Sequence, residues 1–282
     1  MVKSIKIYNN FNINLSHQRS IILIGNFDGL HLGHQKLFEL AKRYKKKYSL
    51  KVGVLTFEPM PKMFFNNNLK NFRISNQKQK VNLLKKFDVD FVILKKFDKK
   101  FSKTKSISFI KSVLSKKIKA KFIFVSNNFR FGNKREGNVK QLIKYETLCK
   151  YKIVKPKPLL RNKKVISSSL IRKLIQNGKI KQVNSFLNRE WSIEGKVQKG
   201  RQLGKKIGFP TANIDIENYV LAKPGVYAVK AKKYNSSKFI KGIANLGYRP
   251  TFNQKKLLLE VHLFTFSENL YNKYLTIYFK KF

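Results

Sequence analysis

Ile21-Ile22-Leu23-Ile24-Gly25-Asn26-Phe27-Asp28-Gly29-Leu30-His31-Leu32-Gly33-His34 decides how the first half of this 282-residue chain folds. Four apolar residues stopped by a glycine read as a buried parallel strand. Past the loop, Leu37, Leu40, Ala41, Tyr44 and Tyr48 recur at helical spacing, with lysines on the opposite side. Strand, glycine turn and helix in that order put the loop at the carboxyl end of a strand, where open parallel sheets bind ligands. Glycines there let backbone come close to a phosphate, and the helix start supplies N–H groups and the positive end of a dipole. His31 and His34 stand three apart, on one side of that helix. Both are able to donate hydrogen bonds to the oxygens of a phosphorus centre under attack, and they are two of only 4 histidines in the chain.

The same rhythm continues outward. Strands at Val52–Phe57, Phe91–Leu94, Phe122–Val125 and near Lys152–Val154 alternate with helices around Lys78–Phe87, Ile107–Ile118 and Val139–Leu148. This predicts an α/β unit, a parallel sheet with helices on both faces. Beyond about Phe186 the helical period stops. Short β-rich runs follow at Ser192–Val197, Val226–Ala231, Phe239–Ala244, Leu257–Phe264 and Leu275–Phe279, divided by Gly, Pro and Asn. They read as a small antiparallel β-barrel. The expected division is into residues 1–186 and 187–282, with no repeat or low-complexity linker between.

Lys and Arg total 62 against 14 acids, a net charge of +48. Such a field attracts phosphate-bearing partners. Only 10 of the 62 are Arg, however, the residue that makes bidentate contacts to bases and phosphates. Lys, Asn, Ile, Phe and Tyr are abundant together, as A/T-rich codons would supply them, so the charge does not by itself demand a nucleic-acid partner. The single Cys149 excludes an internal disulfide and a cysteine-based zinc cluster, and fits a reducing compartment. There is no basic-then-apolar leader and no run of about 18 apolar residues. A soluble cytoplasmic protein, without a membrane partner, is expected.

The opening loop resembles the GxFDGxHxGH signature of the nucleotidylyltransferase superfamily, whose members transfer AMP or CMP from a nucleoside triphosphate. Phe57-Glu58-Pro59-Met60-Pro61 is similar to the FEPxP turn of bacterial FAD synthetases, and Ile166-Ser167-Ser168-Ser169-Leu170-Ile171-Arg172 to their ISSTxIR motif. The resemblance implies that Gly25, Phe27, Asp28, Gly29 and Gly33 bind ATP and its phosphates, and that His31, His34 and Arg172 are catalytic. Hydroxyls of Ser167, Ser168 and Ser169 at a helix start, with Arg172 a turn on, suit triphosphate oxygens. The same serines suit a plain helix cap; one is expected to cap and the others to meet phosphate. Val125-Ser126-Asn127-Asn128-Phe129-Arg130-Phe131-Gly132 resembles a flavin-seating segment, implying Asn128, Phe129 and Arg130 as flavin-binding. Ser126 stands where that pattern has glycine. Phe129 and Phe131 serve equally well as core.

In the second half, Gly195 to Asn213 is a basic stretch bearing Gly200, Gly204 and Gly208 and ending Phe209-Pro210-Thr211-Ala212-Asn213. A glycine-bearing cationic loop can cover phosphates. Thr211 and Asn213, two apart on extended backbone, point the same way and offer neutral oxygens to Mg²⁺. In Leu257–Phe264, Leu257, Leu259, Val261 and Leu263 form an apolar face, and Leu258, Glu260, His262 and Phe264 the other. Glu260 reads either as a base for a hydroxyl proton or as a solvent-facing strand residue. This half resembles bacterial riboflavin kinase. The likeness rests on the Pro-Thr-Ala-Asn stretch, Pro224-Gly225-Val226-Tyr227-Ala228, Asn245 to Phe252, Leu259 to Phe264, and Leu270-Tyr271-Asn272-Lys273.

The whole chain is thus identified as a member of the bifunctional riboflavin kinase/FAD synthetase family. The resemblance implies an FMN adenylyltransferase domain over 1–186 and a kinase domain over 187–282. ATP is co-substrate, riboflavin, FMN and FAD are substrates and products, and Mg²⁺ serves both sites. Glu260 becomes the catalytic base, Gly200, Gly204, Gly208 and Pro210 phosphate-binding, Thr211 and Asn213 metal-binding, and Tyr227 and Arg249 flavin-binding. The family's C-terminal helix is expected to be missing after Phe282. Two other readings stay open: an adenylyltransferase with a silent barrel, or a basic nucleic-acid-binding protein on an enzyme scaffold.

Overall fold

The computed structural model describes residues 5–66, 68–161, 163–199, 210–216, 218–251, 254–264 and 268–282, with the side chains of 248–251 and 254–257 left aside. Contacts divide the chain into two compact units, Met1–Leu69 with Gln77–Ile166, and Lys70–Asn76 with Ser167–Phe282.

The first unit holds a six-stranded sheet of β1 (Lys6–Tyr8), β2 (Ile21–Ile24), β3 (Val52–Glu58), β4 (Phe91–Lys96), β5 (Phe122–Phe124) and β6 (Lys152–Val154). Their order is β1-β4-β3-β2-β5-β6, and every pairing is parallel. Alternate residues feed two cores. Ile22, Ile24, Ile93 and Ile123 lie on one side, and Ile21, Leu23, Val54 and Val92 on the other, as the period of two requires. Gly53 has no room for a side chain, because a Cβ there would meet the Phe91 ring at 2.2 Å. Helices α1 (Leu32–Tyr48) and α2 (Gln77–Lys85) follow β2 and precede β4 respectively. The chain runs from β2 through β3 to β4 in one direction across the sheet, then returns to add β5 on the other side. The carboxyl end of β2 therefore lies at the switch point, where such sheets bind ligands.

The second unit is a closed antiparallel barrel of β7 (Ser192–Gln198), β8 (Thr211–Ile214), β9 (Gly225–Lys233), β10 (Ile240–Thr251), β11 (Gln254–Leu263) and β12 (Tyr274–Lys281). The order is β7-β8-β11-β10-β9-β12, closed by β12 against β7 from Ser192↔Tyr278 to Lys196↔Tyr274. Closure leaves no strand edge exposed to other chains. Leu259, Val261, Leu263, Ala244, Leu246, Val229 and Phe279 fill the interior.

Two further pieces belong to this unit. Helices α3 (Ser168–Gln176) and α4 (Ile180–Leu187) add Ile171, Ile175, Ile180, Val183 and Leu187 to the same core as Trp191. The compact unit thus begins at Ser167, whereas the sequence reading divides the chain after residue 186. The segment Lys70–Asn76 is a strap: Phe72 and Arg73 N–H groups donate to Asn218 O at 3.1 and 2.8 Å, and Val220 N–H donates to Arg73 O at 2.7 Å. The Trp191 indole N–H donates to Ile74 O at 2.9 Å.

Candidate active sites

At the end of β2 the backbone turns left-handed at Phe27 (φ 47°), Gly29 (φ 77°) and Leu30 (φ 37°). Phe27 and Leu30 hold this unusual conformation because their side chains are buried with Phe38 and Leu37. The Phe27 ring is therefore core, 5.2 Å from Phe38 and 5.2 Å from His34. Any part it plays toward phosphate is left to its backbone. A Cβ on Gly25 would come 3.1 Å from that ring. Asp28 is buried in the same loop.

His31 caps α1 with extended backbone, its carbonyl accepting from His34 N at 2.8 Å and Gln35 N at 3.0 Å. The imidazoles of His31 and His34 stack at 3.7 Å with 23° between planes. Gly33 permits this, since a Cβ would lie 3.1 Å from His31 Nδ1 and 3.3 Å from Ile166 O. Burial, reinforced by the neighbouring His31, holds His34 well below the usual imidazole range. His34 is consequently neutral at pH 7, a hydrogen-bond donor without a charge. Its Nδ1 is buried and has no hydrogen-bond partner among the described residues.

In the segment after the carboxyl end of β5, which pairs in parallel with β2, Asn128 and Arg130 are exposed and Phe129 is half-buried, stacked on Phe131 at 5.5 Å. Phe131 itself is core. Ser126, where the pattern has glycine, donates its hydroxyl to Asn128 Oδ1 at 2.9 Å. This substitution thus braces the Asn128 amide.

In the second unit Ser167 is the cap: its Oγ accepts from Leu170 N at 3.2 Å. Ser168 and Ser169 are the first residues of α3, where donors point out of the helix start. Arg172 is held by a residue that no motif marks. Its Nε–H donates to Phe72 O at 2.7 Å, and its guanidinium lies 3.7 Å from the Phe72 ring centre.

On the barrel, register assembles a polar row. Asn213 faces Glu260 across β8 and β11, and Glu260 faces Asn245 across β11 and β10. Directly opposed residues share a face. Thr211 faces His262 one step along. His262 Nδ1 lies 3.0 Å from Pro210 O, and since a carbonyl only accepts, that nitrogen carries the proton. His262 thereby ties down the carbonyl immediately before Thr211. Sequence reading marked neither Asn245 nor His262 as functional. Tyr227 is not brought to this face: it is fully buried among Phe279 and Phe282, with its hydroxyl donating to Lys223 O. Arg249 pairs with Lys256 through backbone, and its side chain lies outside the described residues, as do Gly200, Gly204 and Gly208.

Thr211 and Asn213 supply hydroxyl and amide oxygens, neutral donors that fit a hard cation such as Mg²⁺. Among the described residues no cluster of three or more His, Cys, Asp or Glu could hold a metal. A cation here would complete its shell with water or phosphate oxygens.

A family model described as FAD synthetase matches residues 13–170, and one described as riboflavin kinase matches 187–282. A bifunctional riboflavin kinase/FMN adenylyltransferase of Buchnera aphidicola from Acyrthosiphon pisum is 39% identical over 272 residues, 96% of this chain and 87% of that protein. Proteins of that name are 33% identical in Escherichia coli K12, over 93% of this chain and 83% of theirs, and 31% identical in Bacillus subtilis, over 90% and 80%. A crystal structure titled as a macrolide-efflux protein from Streptococcus pneumoniae superposes with a TM-score of 0.86 at 26% identity, covering 98% of this chain and 90% of that one. No helix among the described residues is long and apolar enough to cross a membrane. With both family models matched in tandem and relatives of one name spanning nearly its whole length, the chain belongs to the bifunctional riboflavin kinase/FMN adenylyltransferase family.

Proposed function

We propose the following division of labour for a chain that makes FMN and then FAD. In the barrel unit, ATP phosphorylates riboflavin. Glu260 accepts the proton of the ribityl hydroxyl as its oxygen bonds to the γ-phosphorus and the bond to ADP breaks. Thr211 and Asn213 would hold Mg²⁺, which when bound neutralises phosphate charge. Asn245 extends the polar row on the other side of Glu260, and His262 fixes the Pro210 carbonyl and so the approach to Thr211. Pro210, with Gly200, Gly204 and Gly208, borders the phosphates, and Arg249 contributes to the flavin.

In the first unit, an oxygen of the FMN phosphate attacks the α-phosphorus of a second ATP and pyrophosphate leaves. His31 and His34 donate hydrogen bonds to the phosphoryl oxygens as charge builds on them. His34, kept neutral by burial, does so without adding a cation that the apolar surroundings would penalise. Gly25, Gly29 and Gly33 open the backbone to the triphosphate, with Asp28 in the same loop. Asn128, Phe129 and Arg130 of the same unit seat the flavin. In the second unit Ser168, Ser169 and Arg172 are the phosphate-binding residues that the motif implies, Ser167 being the cap. The buried Cys149 accords with a reducing cytoplasm.

The observation that carries this reading is the tandem match of one chain to both families, over 13–170 and 187–282. The test is to incubate purified protein with riboflavin, ATP and Mg²⁺ and resolve FMN from FAD. FMN should appear first and FAD should accumulate with release of pyrophosphate. Conversion of supplied FMN without use of riboflavin would reduce the chain to an adenylyltransferase, and failure of both steps would overturn the proposal.

A further inference from the structure

Helix α2 carries Lys80, whose side chain is turned inward: only 3% of the residue is exposed. Lysine is almost never buried unless oxygens meet its ammonium. Nζ lies 3.3 Å from Thr56 Oγ1 and 3.4 Å from the Asn26 carbonyl oxygen. The Thr56 hydroxyl also lies 3.4 Å from that carbonyl. The position of these two residues gives the contact its meaning. β2 and β3 pair in register as far as Ile24↔Leu55, and Gly25 N–H still donates to Leu55 O at 3.1 Å. Asn26 and Thr56 are the next residues on each side, where the ladder has ended. Immediately after Asn26 the backbone goes left-handed at Phe27. Such a conformation persists only where its surroundings fix it. Lys80 supplies a charge-assisted hydrogen bond at the entry to that turn, a stronger tie than a neutral donor gives.

We propose that Lys80 is a positioning residue for adenylyl transfer. Its ammonium holds the Asn26 carbonyl, and through it the Phe27–Leu30 backbone that delivers His31 and His34. The same charge lies beneath the loop that meets the triphosphate. This inference rests on the adenylyl-transfer reading given above.

The experiment measures kcat and ATP KM for FMN adenylylation in the parent, Lys80→Met, Lys80→Arg and Thr56→Val, with riboflavin phosphorylation and a thermal unfolding profile for each. An inactive parent would overturn the adenylyl reading itself. With an active parent, Lys80→Met, similar in length but uncharged, should lose about 100-fold in kcat, the scale of a misplacement near 1 Å. ATP KM should move much less. Lys80→Arg should recover part of the loss, and riboflavin phosphorylation should be unchanged throughout. A cooperatively folded Lys80→Met with the parent kcat would overturn the inference, as would a loss confined to KM. If Lys80→Met does not fold, Thr56→Val decides: a folded Thr56→Val with the parent kcat overturns the inference, and a kcat loss of threefold or more at the parent melting temperature supports it.

Discussion

His31 is buried and His34 half-buried, and both reach their place on a loop with three residues in left-handed backbone, whereas Glu260, Asn213 and Asn245 sit on regular strands and are spaced by register alone. The loop needs outside support: Phe38 and Leu37 around Phe27 and Leu30, Gly33 giving way to the His31 ring, and Gln35 Nε2 donating to Leu30 O at 2.9 Å. The strands need none beyond their own ladder, since pairing that places one residue places its neighbours. A site of the first kind holds its groups out of water and tunes them by desolvation, but it is sensitive to changes some distance away. A site of the second kind leaves Glu260 half-exposed and Asn245 exposed beside a buried Asn213, and tolerates change except at the residues themselves.

The largest effect should come from the barrel. Glu260→Gln keeps shape and hydrogen bonding but removes proton acceptance, so riboflavin phosphorylation should fall roughly 10²- to 10⁴-fold. Conversion of supplied FMN to FAD should be unaffected. Equal phosphorylation by an active parent and its Gln variant would remove the base from the comparison.

Next in size are His31→Ala and His34→Ala, each expected to cost on the order of 2–4 kcal/mol of transition-state stabilisation in FAD formation. FMN formation should survive. A double variant that still made FAD at the parent rate would show that the buried loop plays no part in the chemistry.

The smallest effect concerns protons. His34 is held well below its ordinary value of 6.5, so the unfolded chain takes up a proton there that the folded chain refuses. The associated stability is fully present above about pH 6.5 and is lost as pH falls toward the folded pKa. The unfolding midpoint should decline on that acid side, and His34→Gln should flatten the slope by one proton. An identical slope in parent and variant would mean that burial of this imidazole has no energetic consequence.

Much of this contrast was legible beforehand. Four apolar residues, a glycine loop and a helical period fixed the β2–α1 junction, and the alternation in Leu257–Phe264 separated Glu260 and His262 from the core strip. What escaped depended on pairings across long stretches of chain. Tyr227 adjoins Val226, and alternation permits either to face inward; closure of the barrel turns Tyr227 to the core and leaves Val226 exposed. The apolar stripes of α3 and α4 suit any core, so their sequence could not say that they cover Trp191. His262 meets Pro210 across 52 residues. Lys80 carries no local signal in a chain with so many lysines, and only the fold reveals that one of them is buried.

The strap Lys70–Asn76 bears on how the protein can be taken apart. A gene fragment starting at residue 187 would carry every strand of the barrel yet omit Ile74, which is fully buried, and its carbonyl, which receives the Trp191 indole N–H. Such a fragment would uncover an isoleucine-sized gap costing about 1.5–3 kcal/mol and strand a buried donor at about 1–3 kcal/mol more. It would lose α3 and α4 as well. For a fold whose whole margin is commonly about 5–15 kcal/mol, dissection at the strand boundary removes structure that the barrel uses. The integral piece is interleaved in the gene, with seven of its residues encoded between two segments of its neighbour.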